Sequence, residues 1–253
     1  LKATSKVFID DIKVYPDIHT KTAKVIVSIR NPQKSDFKGK LKLQAASFNS
    51  DRKQNLKVNK IKVVTNSEEQ QVINTCKISK PQLWSEFDPA MYRLSATLEG
   101  SNNKVIDRET ADFGIREFKN NGTRFEVNGT PLFLRGTTEC CIFPLTGYPP
   151  ADEASWEEVL QTCREYGLNH VRFHSYCPPE AAFMAADKLG IYFHIECSSW
   201  ANQGSSVGNG GSLDRFIYEE SDRIIKEYGN HPSFCMLAYG NEPAGRNQNA
   251  FLG

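Results

Sequence analysis

From Val7 to about Ala111 the apolar residues of this chain recur at every second position, a period that fits strands and excludes amphipathic helices. Ala23, Val25, Val27 and Ile29 alternate with Lys24, Ser28 and Arg30. Leu41, Leu43 and Ala45 alternate with Lys40, Lys42 and Gln44, and Tyr92, Leu94, Ala96 and Leu98 with Arg93, Ser95, Thr97 and Glu99. Each segment reads as a strand with one buried face. Val7 to Val14, Leu56 to Thr65, Gln71 to Ile78 and Lys104 to Asp112 add further strands, separated by turn-rich pieces such as Asn31-Pro-Gln-Lys-Ser and Gly100-Ser-Asn-Asn. Seven short strands in about 110 residues, without a helical segment, predict an immunoglobulin-like sandwich. No catalytic constellation lies within it, so its expected roles are spacer, support for a neighbour, or binding module.

After Phe113-Gly114 the texture changes. Arg124 to Val127 and Pro131 to Leu134 flank Asn128-Gly129, a common hairpin signal. Asn121-Gly-Thr123 and Asn128-Gly-Thr130 fit the glycosylation pattern, which Asn-Gly turns explain equally well. Strands and helices then alternate. Ser155-Trp-Glu-Glu158 reads as a capping box opening a helix with Trp156, Val159, Leu160 and Cys163 on one face and Gly167 at its end. The strand His170 to His174 follows. Pro178-Pro-Glu opens an alanine-rich helix that Gly190 closes. Next come the strand Ile191 to Ile195, a Gly/Ser/Asn-rich loop from Asn202 to Ser212, and a helix with Ile217, Ile224, Ile225 and Tyr228 on one face, capped by Gly229. Phe234 to Tyr239 is the last strand. With the strand near Leu134 this makes four βα-type strands, which implies a parallel sheet.

That last strand is an apolar run between Pro232 and Pro243 that delivers Asn241 and Glu242 at its carboxyl end. A carboxyl group beside an apolar strand end is expected to be partly desolvated, which raises its pKa and suits it to general acid work. Polar and titratable residues gather at the carboxyl ends of all four strands: Thr138 and Glu139, Arg172 to Tyr176, Glu196 to Trp200, Asn241 and Glu242. Taken singly, each has an ordinary structural explanation: His174 as a hydrogen-bonded core histidine, Trp200 as a packing residue, Arg172 as partner of a buried carboxylate. Together they describe the mouth of a (β/α)8 barrel.

Composition narrows the partners. With 31 Lys and Arg against 30 Asp and Glu, the chain gives no overall electrostatic reason to expect nucleic acid or an anionic membrane. No apolar run approaches the roughly 20 residues of a spanning helix. The seven cysteines lack CxxC spacing, and most are expected to be buried small hydrophobes. Cys140, Cys141, Cys177 and Cys197 fall near strand ends, where a thiolate metal site or one oxidised pair is conceivable. No closing Cys/His pair has structural-zinc spacing, so neither a metal nor a cofactor is expected. The opening Leu1-Lys-Ala-Thr reads as a cut inside a longer protein.

Several motifs carry a resemblance. Phe113-Gly-Ile-Arg-Glu-Phe118, Val127-Asn-Gly-Thr-Pro-Leu-Phe-Leu-Arg-Gly136, Asn169-His-Val-Arg172, His231-Pro-Ser and Gly240-Asn-Glu242, in that order, resemble the family 2 glycoside hydrolases, the β-galactosidases, β-glucuronidases and β-mannosidases. Pro81-Gln-Leu-Trp84, Asp88-Pro89 and Tyr92-Arg-Leu are similar to that family's sandwich domain. The resemblance implies an all-β immunoglobulin-like domain over residues 1–114, then residues 115–253 as the first half of a TIM-barrel catalytic domain, truncated after about four βα units. It further implies retaining hydrolysis of a β-glycosidic bond by two carboxylates about 5 Å apart. Glu242 would be the acid/base, and Asn241 would bind the sugar 2-hydroxyl. Arg172 would steady the nucleophile, and Trp200 is a candidate platform for an apolar sugar face. His174, Tyr176, Glu196 and Glu139 are further candidates for substrate contact.

Two departures bear on the substrate. The family often places an Asn and then a His after the Arg-Gly pair, where this chain has Thr137-Thr-Glu-Cys-Cys141, and often reads Ser-His-Tyr where this chain has His174-Ser-Tyr176. The sugar therefore stays open between galactoside, glucuronide and mannoside. In this family the nucleophilic Glu lies well beyond the acid/base, so the chain reads as an internal fragment, inactive alone and prone to self-association through an open half barrel. Family members acting on external polysaccharide would be exported, which points to a periplasmic or secreted parent, although no residue here fixes the compartment. Two other readings are a non-catalytic carbohydrate-binding or scaffold protein that keeps the barrel-mouth residues, and a different barrel hydrolase working through the four cysteines.

Overall fold

The computed structural model describes residues 3–200 and 206–252. Leu1 and Lys2 of the opening segment, and Asn202 to Ser205 of the expected loop, lie outside the described residues. The chain divides into two compact units, one running to Glu117 and including Val127–Gly129, the other formed by Phe118–Glu126 and the chain from Thr130 onward.

The first unit holds β1 (Phe8–Asp17), β2 (Thr22–Arg30), β3 (Phe37–Phe48), β4 (Asn55–Thr65), β5 (Glu69–Lys77), β6 (Met91–Gly100) and β7 (Val105–Gly114). They form two antiparallel sheets, β1-β2-β5 and β4-β3-β6-β7. The period-two residues do what that period requires: Val25, Val27, Leu41, Leu43, Leu94 and Leu98 are buried in one core. Tyr92, fully buried in β6, accepts a hydrogen bond at its hydroxyl from the Gln82 amide at 3.0 Å and donates to Gln54 Oε1 at 2.8 Å. This contact ties the strand to the chain just upstream. Asn128 is similarly engaged, its Oδ1 accepting from the Glu117 amide and its Nδ2 donating to the Trp84 carbonyl, both at 3.0 Å. That amide works as a structural clip rather than a glycan acceptor.

The second unit opens with β8 (Phe118–Asn121), β9 (Arg124–Val127) and β10 (Thr130–Leu132), in sheet order β10-β9-β8. The left-handed φ values of Asn128 (53°) and Gly129 (79°) are those a tight hairpin turn requires. Phe118 stacks on Phe125 at 5.2 Å and reaches Tyr192 at 6.4 Å.

After the hairpin come β11 (Gly136–Glu139), α1 (Glu153–Glu165), β12 (His170–Phe173), α2 (Glu180–Leu189), β13 (Tyr192–Glu196), α3 (Ser212–Tyr228), β14 (Phe234–Ala238) and a short α4 (Gln248–Leu252). The strands form a parallel sheet in the order β11-β12-β13-β14. The first parallel strand thus begins at Gly136, beyond the Leu134 region expected. One face of the sheet is apolar, with Val171, Phe173, Phe193 and Ile195 packed on Trp156 and Phe183 of the helices. The other face carries His170, Arg172, His194 and Glu196. An open sheet covered by helices on both faces would read apolar throughout. Among the described residues the sheet is four strands wide and open, which is the number of βα-type strands expected from the sequence.

Helix boundaries depart from expectation in one instructive place. The N-cap of α1 is Asp152, not Ser155: its Oδ1 accepts from the Ser155 amide at 2.9 Å and its Oδ2 from the Ser155 hydroxyl at 3.0 Å. The hydrogen bond from the Ser155 amide holds the Asp152 carboxyl below its ordinary pKa. A depressed folded-state pKa contributes stability that is present above the unfolded value and lost as pH falls through the folded one. Protection of the first-turn amides of α1 against hydrogen exchange, taken relative to their intrinsic rates, should therefore fall on acidification through the carboxylate range. Asp152→Ala should lower that protection at neutral pH and abolish its change with pH. An unchanged first turn in that variant would return the cap to Ser155.

On α3, Ile217 and Ile224 are buried, while Ile225 is half exposed. Below the amino end of β14, the His231-Pro-Ser motif forms a buried node. Asp187 accepts from His231 Nδ1 at 2.6 Å and from the Ser233 amide at 3.0 Å.

Candidate active site

The carboxyl ends of β12, β13 and β14 are joined by one polar network. Arg172 projects from the non-helical face of β12. Its Nε donates to Glu196 Oε1 at 2.7 Å, and its Nη2 lies 2.6 Å from the same oxygen and donates to Asn241 Oδ1 at 2.8 Å. Glu196 is 1% exposed, and its second oxygen accepts from the Ser175 amide at 2.7 Å. Both carboxylate oxygens are therefore satisfied, as a buried charge requires. Because Arg172 occupies the Asn241 carbonyl oxygen, the side-chain orientation of Asn241 is set: its NH2 group is what remains to offer a ligand.

The pairing of β13 and β14 continues past the strand ends. The Asn241 amide donates to the Ser199 carbonyl at 2.9 Å, and Trp200 forms a parallel bridge with Asn241. Gly240 allows this approach, since its φ of 140° is closed to most side chains and a Cβ would stand 2.4 Å from the Ser199 carbonyl oxygen. Trp200 is thereby held with its indole N–H donating to Glu242 Oε2 at 2.7 Å and its ring edge-on to His174 at 4.8 Å. His174 Nδ1 lies 3.0 Å from the Ser175 hydroxyl. Trp200 is 44% exposed, an aromatic residue beside a carboxylate and an amide.

Strain marks the same end of the sheet. Among the described residues of the second unit, the non-glycine residues with positive φ are Cys141 (57°), Ser175 (59°) and Glu242 (42°). They follow the ends of β11, β12 and β14. A left-handed non-glycine residue costs about 1–2 kcal/mol, and such strain clusters where backbone is shaped for ligand contact.

The network gathers Arg172, His174, Glu196, Trp200, Asn241 and Glu242, and corrects three expectations. Glu242 is exposed, not partly desolvated as expected, and its φ of 42° turns it away from the apolar strand. Tyr176 leaves the site: its ring packs edge-on against Phe173 at 5.5 Å within the helical core. Its hydroxyl is buried with no hydrogen-bond partner among the described residues. Glu139 folds back onto its own loop, Oε1 accepting from the Cys141 amide at 2.9 Å. Burial pushes its carboxyl pKa up, partly offset by the amides of Cys141, Ile142 and Cys140.

The cysteines do not assemble. All seven are free thiols, with Cys140 and Cys141 exposed and Cys197 buried beside the Ser221 hydroxyl at 3.2 Å. Burial, with lesser contributions from Glu220 and Cys197, pushes the Cys177 thiol up to about 12, so it is not a thiolate near neutral pH. No group of three or more potential metal ligands occurs among the described residues.

Sequence reading missed His170 and His194. They share the face of Arg172, and the parity of positions 170, 172 and 194 within their strands was the available signal. Their rings stack at 6.4 Å, and burial lowers both pKa values, so both tend to neutrality. His170 Nδ1, 2.9 Å from the Tyr192 carbonyl, is then the protonated nitrogen that donates to it.

Residues 7–116 match the family model of the glycosyl hydrolases family 2. A β-galactosidase of Thermoanaerobacter pseudethanolicus is 30% identical over 183 residues, which are 70% of this chain and 23% of the relative. β-Galactosidase 2 of Enterobacter cloacae is 27% identical over 177 residues, 68% of this chain and 17% of the relative. The chain thus spans about a fifth of the length of these curated relatives. Among solved structures, a family 2 β-galacturonidase from Eisenbergiella tayi bound to galacturonate aligns with a TM-score of 0.83 at 17% identity, covering 98% of this chain and 44% of that one. A family 2 member from Bacteroides cellulosilyticus aligns at 0.81 with 23% identity, covering 95% and 31%. At these identities the structural likeness speaks for the fold alone.

Proposed function

We propose that this chain, a relative of the family 2 glycosyl hydrolases, is part of a retaining β-glycosidase acting on β-galactosides or related β-glycosides, with Glu242 as acid/base and the nucleophile supplied from outside these 253 residues. In this reading residues 1–114 are the supporting immunoglobulin-like domain, and residues 115–253 contribute the first half of a (β/α)8 barrel. The supporting observation is the network running from Glu196 through Arg172 to Asn241, with Trp200 holding Glu242 beside it.

Each residue then has a task. Glu242, exposed toward solvent at a strand end, protonates the leaving oxygen and later deprotonates the attacking water. The Asn241 NH2, oriented by Arg172, donates to the oxygen of the sugar 2-hydroxyl, a contact that strengthens as positive charge develops on the ring. Trp200 presents its exposed face to the apolar side of a pyranose and its N–H to Glu242. Two catalytic carboxylates about 5 Å apart are required. Both oxygens of Glu196 are taken up by Arg172 and the Ser175 amide, and Glu139 is folded back onto the Cys141 amide through Oε1, so neither is assigned as the second.

The test uses the three tryptophans. Trp84 and Trp156 are fully buried, whereas Trp200 is 44% exposed, so three indole N–H resonances report separately on core and site. Adding methyl β-galactoside or methyl β-glucuronide at millimolar concentration to the labelled chain should move the Trp200 resonance alone. The response should shrink in Asn241→Ala. If Trp200 stays still with every β-glycoside tried, or moves only together with the buried pair, the assignment of this cluster as a sugar site fails.

A further inference from the structure

The near-neutral formal charge conceals a division. Residues 1–117 hold 21 Lys and Arg against 14 Asp and Glu, a formal +7, while residues 118–253 hold 10 against 16, a formal −6. Much of the first excess lies on one surface. In β3 the exposed Lys38, Lys40, Lys42 and Gln44 alternate with buried Gly39, Leu41, Leu43 and Ala45, and β4 exposes Lys60 and Lys62 on either side of the inward Ile61. The register sets Lys40 directly opposite Lys62, and Lys42 opposite Lys60. On the far side of β3 the face continues through Ser95 of β6, opposite Gln44, to the exposed Arg108 and Thr110 of β7.

Like charges directly opposite one another on a sheet are destabilising. Among the described residues none of the five lysines has a carboxylate within ion-pair distance; Lys40 donates to Asn103 Oδ1 at 3.3 Å. Of the carboxylates on this face, Asp112 is held by Arg93 at 2.6 Å, and Glu99 lies opposite Lys40 in register. Lysine on an edge strand deters unwanted sheet extension, which accounts for β4. It does not account for Lys38, Lys40 and Lys42, because β3 is an inner strand between β4 and β6. The lysines of this face outnumber its carboxylates Glu99 and Asp112, whereas a face built only for solubility would balance the two signs.

We propose that the outer face of the β4-β3-β6-β7 sheet is a binding surface for a linear anionic polysaccharide, one carrying carboxylates along its length. The rows of ammonium groups supply the counter-charge, and Gln44, Ser95 and Thr110, which form the adjoining row across the sheet, supply hydrogen bonds to hydroxyl groups. Nucleic acid fits less well. Single strands need bare aromatic rings on which bases stack, and Phe48, at the end of β3, already has the Arg93 guanidinium over its ring at 5.0 Å. The groove of a duplex admits a helix or a two-stranded ribbon, not a four-stranded face. This surface lies wholly within the first unit, so the proposal stands or falls independently of the Glu242 cluster.

The experiment is affinity electrophoresis of the 253-residue chain through gels containing polygalacturonate, neutral dextran or duplex DNA, repeated at rising salt. Polygalacturonate should retard the chain, dextran should not, and the retardation should fade with salt as counterion release demands. The combined variant Lys40→Gln, Lys42→Gln, Lys60→Gln and Lys62→Gln should weaken binding by about tenfold or more, four surface ion pairs being removed. It should melt close to the parent, because two like-charge pairs are relieved while the pairing of Lys40 with Glu99 across β3 and β6 is lost. A control with the same net charge, Lys21→Gln, Lys24→Gln, Lys77→Gln and Lys80→Gln, should bind as the parent does. The proposal is overturned by absent retardation, by equal loss in the control, or by duplex DNA binding as tightly as polygalacturonate.

Discussion

Glu196→Ala is expected to destabilise the parallel-sheet unit by about 3–5 kcal/mol, the range for removing one partner of a buried ion pair. The loss has two sources. Arg172 keeps its charge but loses both contacts to Glu196, and the Ser175 amide, fixed by a φ of 59°, loses its acceptor. A third of the Arg172 side chain is exposed, so water solvates part of the stranded charge and pulls the figure toward the lower end. Glu196→Gln keeps an acceptor for Ser175 and loses only the ionic part, so it should cost about 1–3 kcal/mol. A single melting curve for two units is not a two-state measurement. Hydrogen exchange at the amides of β12 and β13 resolves the effect from the sandwich. A change below about 1 kcal/mol in Glu196→Ala would show that Arg172 is held by other contacts and that the network does not anchor this end of the sheet.

The same network separates what was legible in the sequence from what was not. The strands of the sandwich could be read because a half-buried strand forces its pattern on the sequence, and Leu41, Leu43 and Ala45 face the core for that reason. The polar residues at the parallel strand ends were legible as a group, because apolar runs such as Phe234–Ala238 end abruptly in them. Their directions were not. Tyr176 and His174 lie two residues apart, yet one enters the helical core and the other meets Trp200. Ser175 between them is in the left-handed region, where strand alternation no longer predicts facing. Glu242 was expected to inherit the apolar surroundings of its strand, but a φ of 42° carries it outward. Asp152 was passed over because Ser155-x-x-Glu158 satisfies the same spacing rule, and only the hydrogen bond made decides between two caps three residues apart. The lysine face was hidden differently: each lysine was seen as the polar half of an alternation, and the cross-strand pairing that makes them a surface depends on register.

Glu242→Gln, made in a protein that carries this chain together with a nucleophilic carboxylate, is expected to slow hydrolysis of an alkyl β-glycoside by about 10²- to 10⁴-fold, the usual contribution of a positioned general acid or base. The substitution keeps the shape and an acceptor for the Trp200 N–H, so the cluster should remain assembled while proton transfer is lost. The expected loss depends on the leaving group. A dinitrophenolate departs without a proton, so with a dinitrophenyl β-glycoside the first step should be nearly unimpaired and the second, attack by water on the glycosyl-enzyme, should become limiting. The covalent intermediate should then accumulate, and added azide, which needs no general base, should restore turnover. For the 253-residue chain alone, neither the parent nor the variant should hydrolyse either substrate, because both oxygens of Glu196 are engaged and Glu139 is folded back onto the Cys141 amide. Turnover by the chain alone, lost in Glu242→Gln, would mean that Glu139 or Glu196 leaves its present partner to act as nucleophile. Equal loss for both leaving groups, without azide rescue, would move Glu242 from proton transfer to substrate binding and send the search for the acid to another carboxyl group at these strand ends.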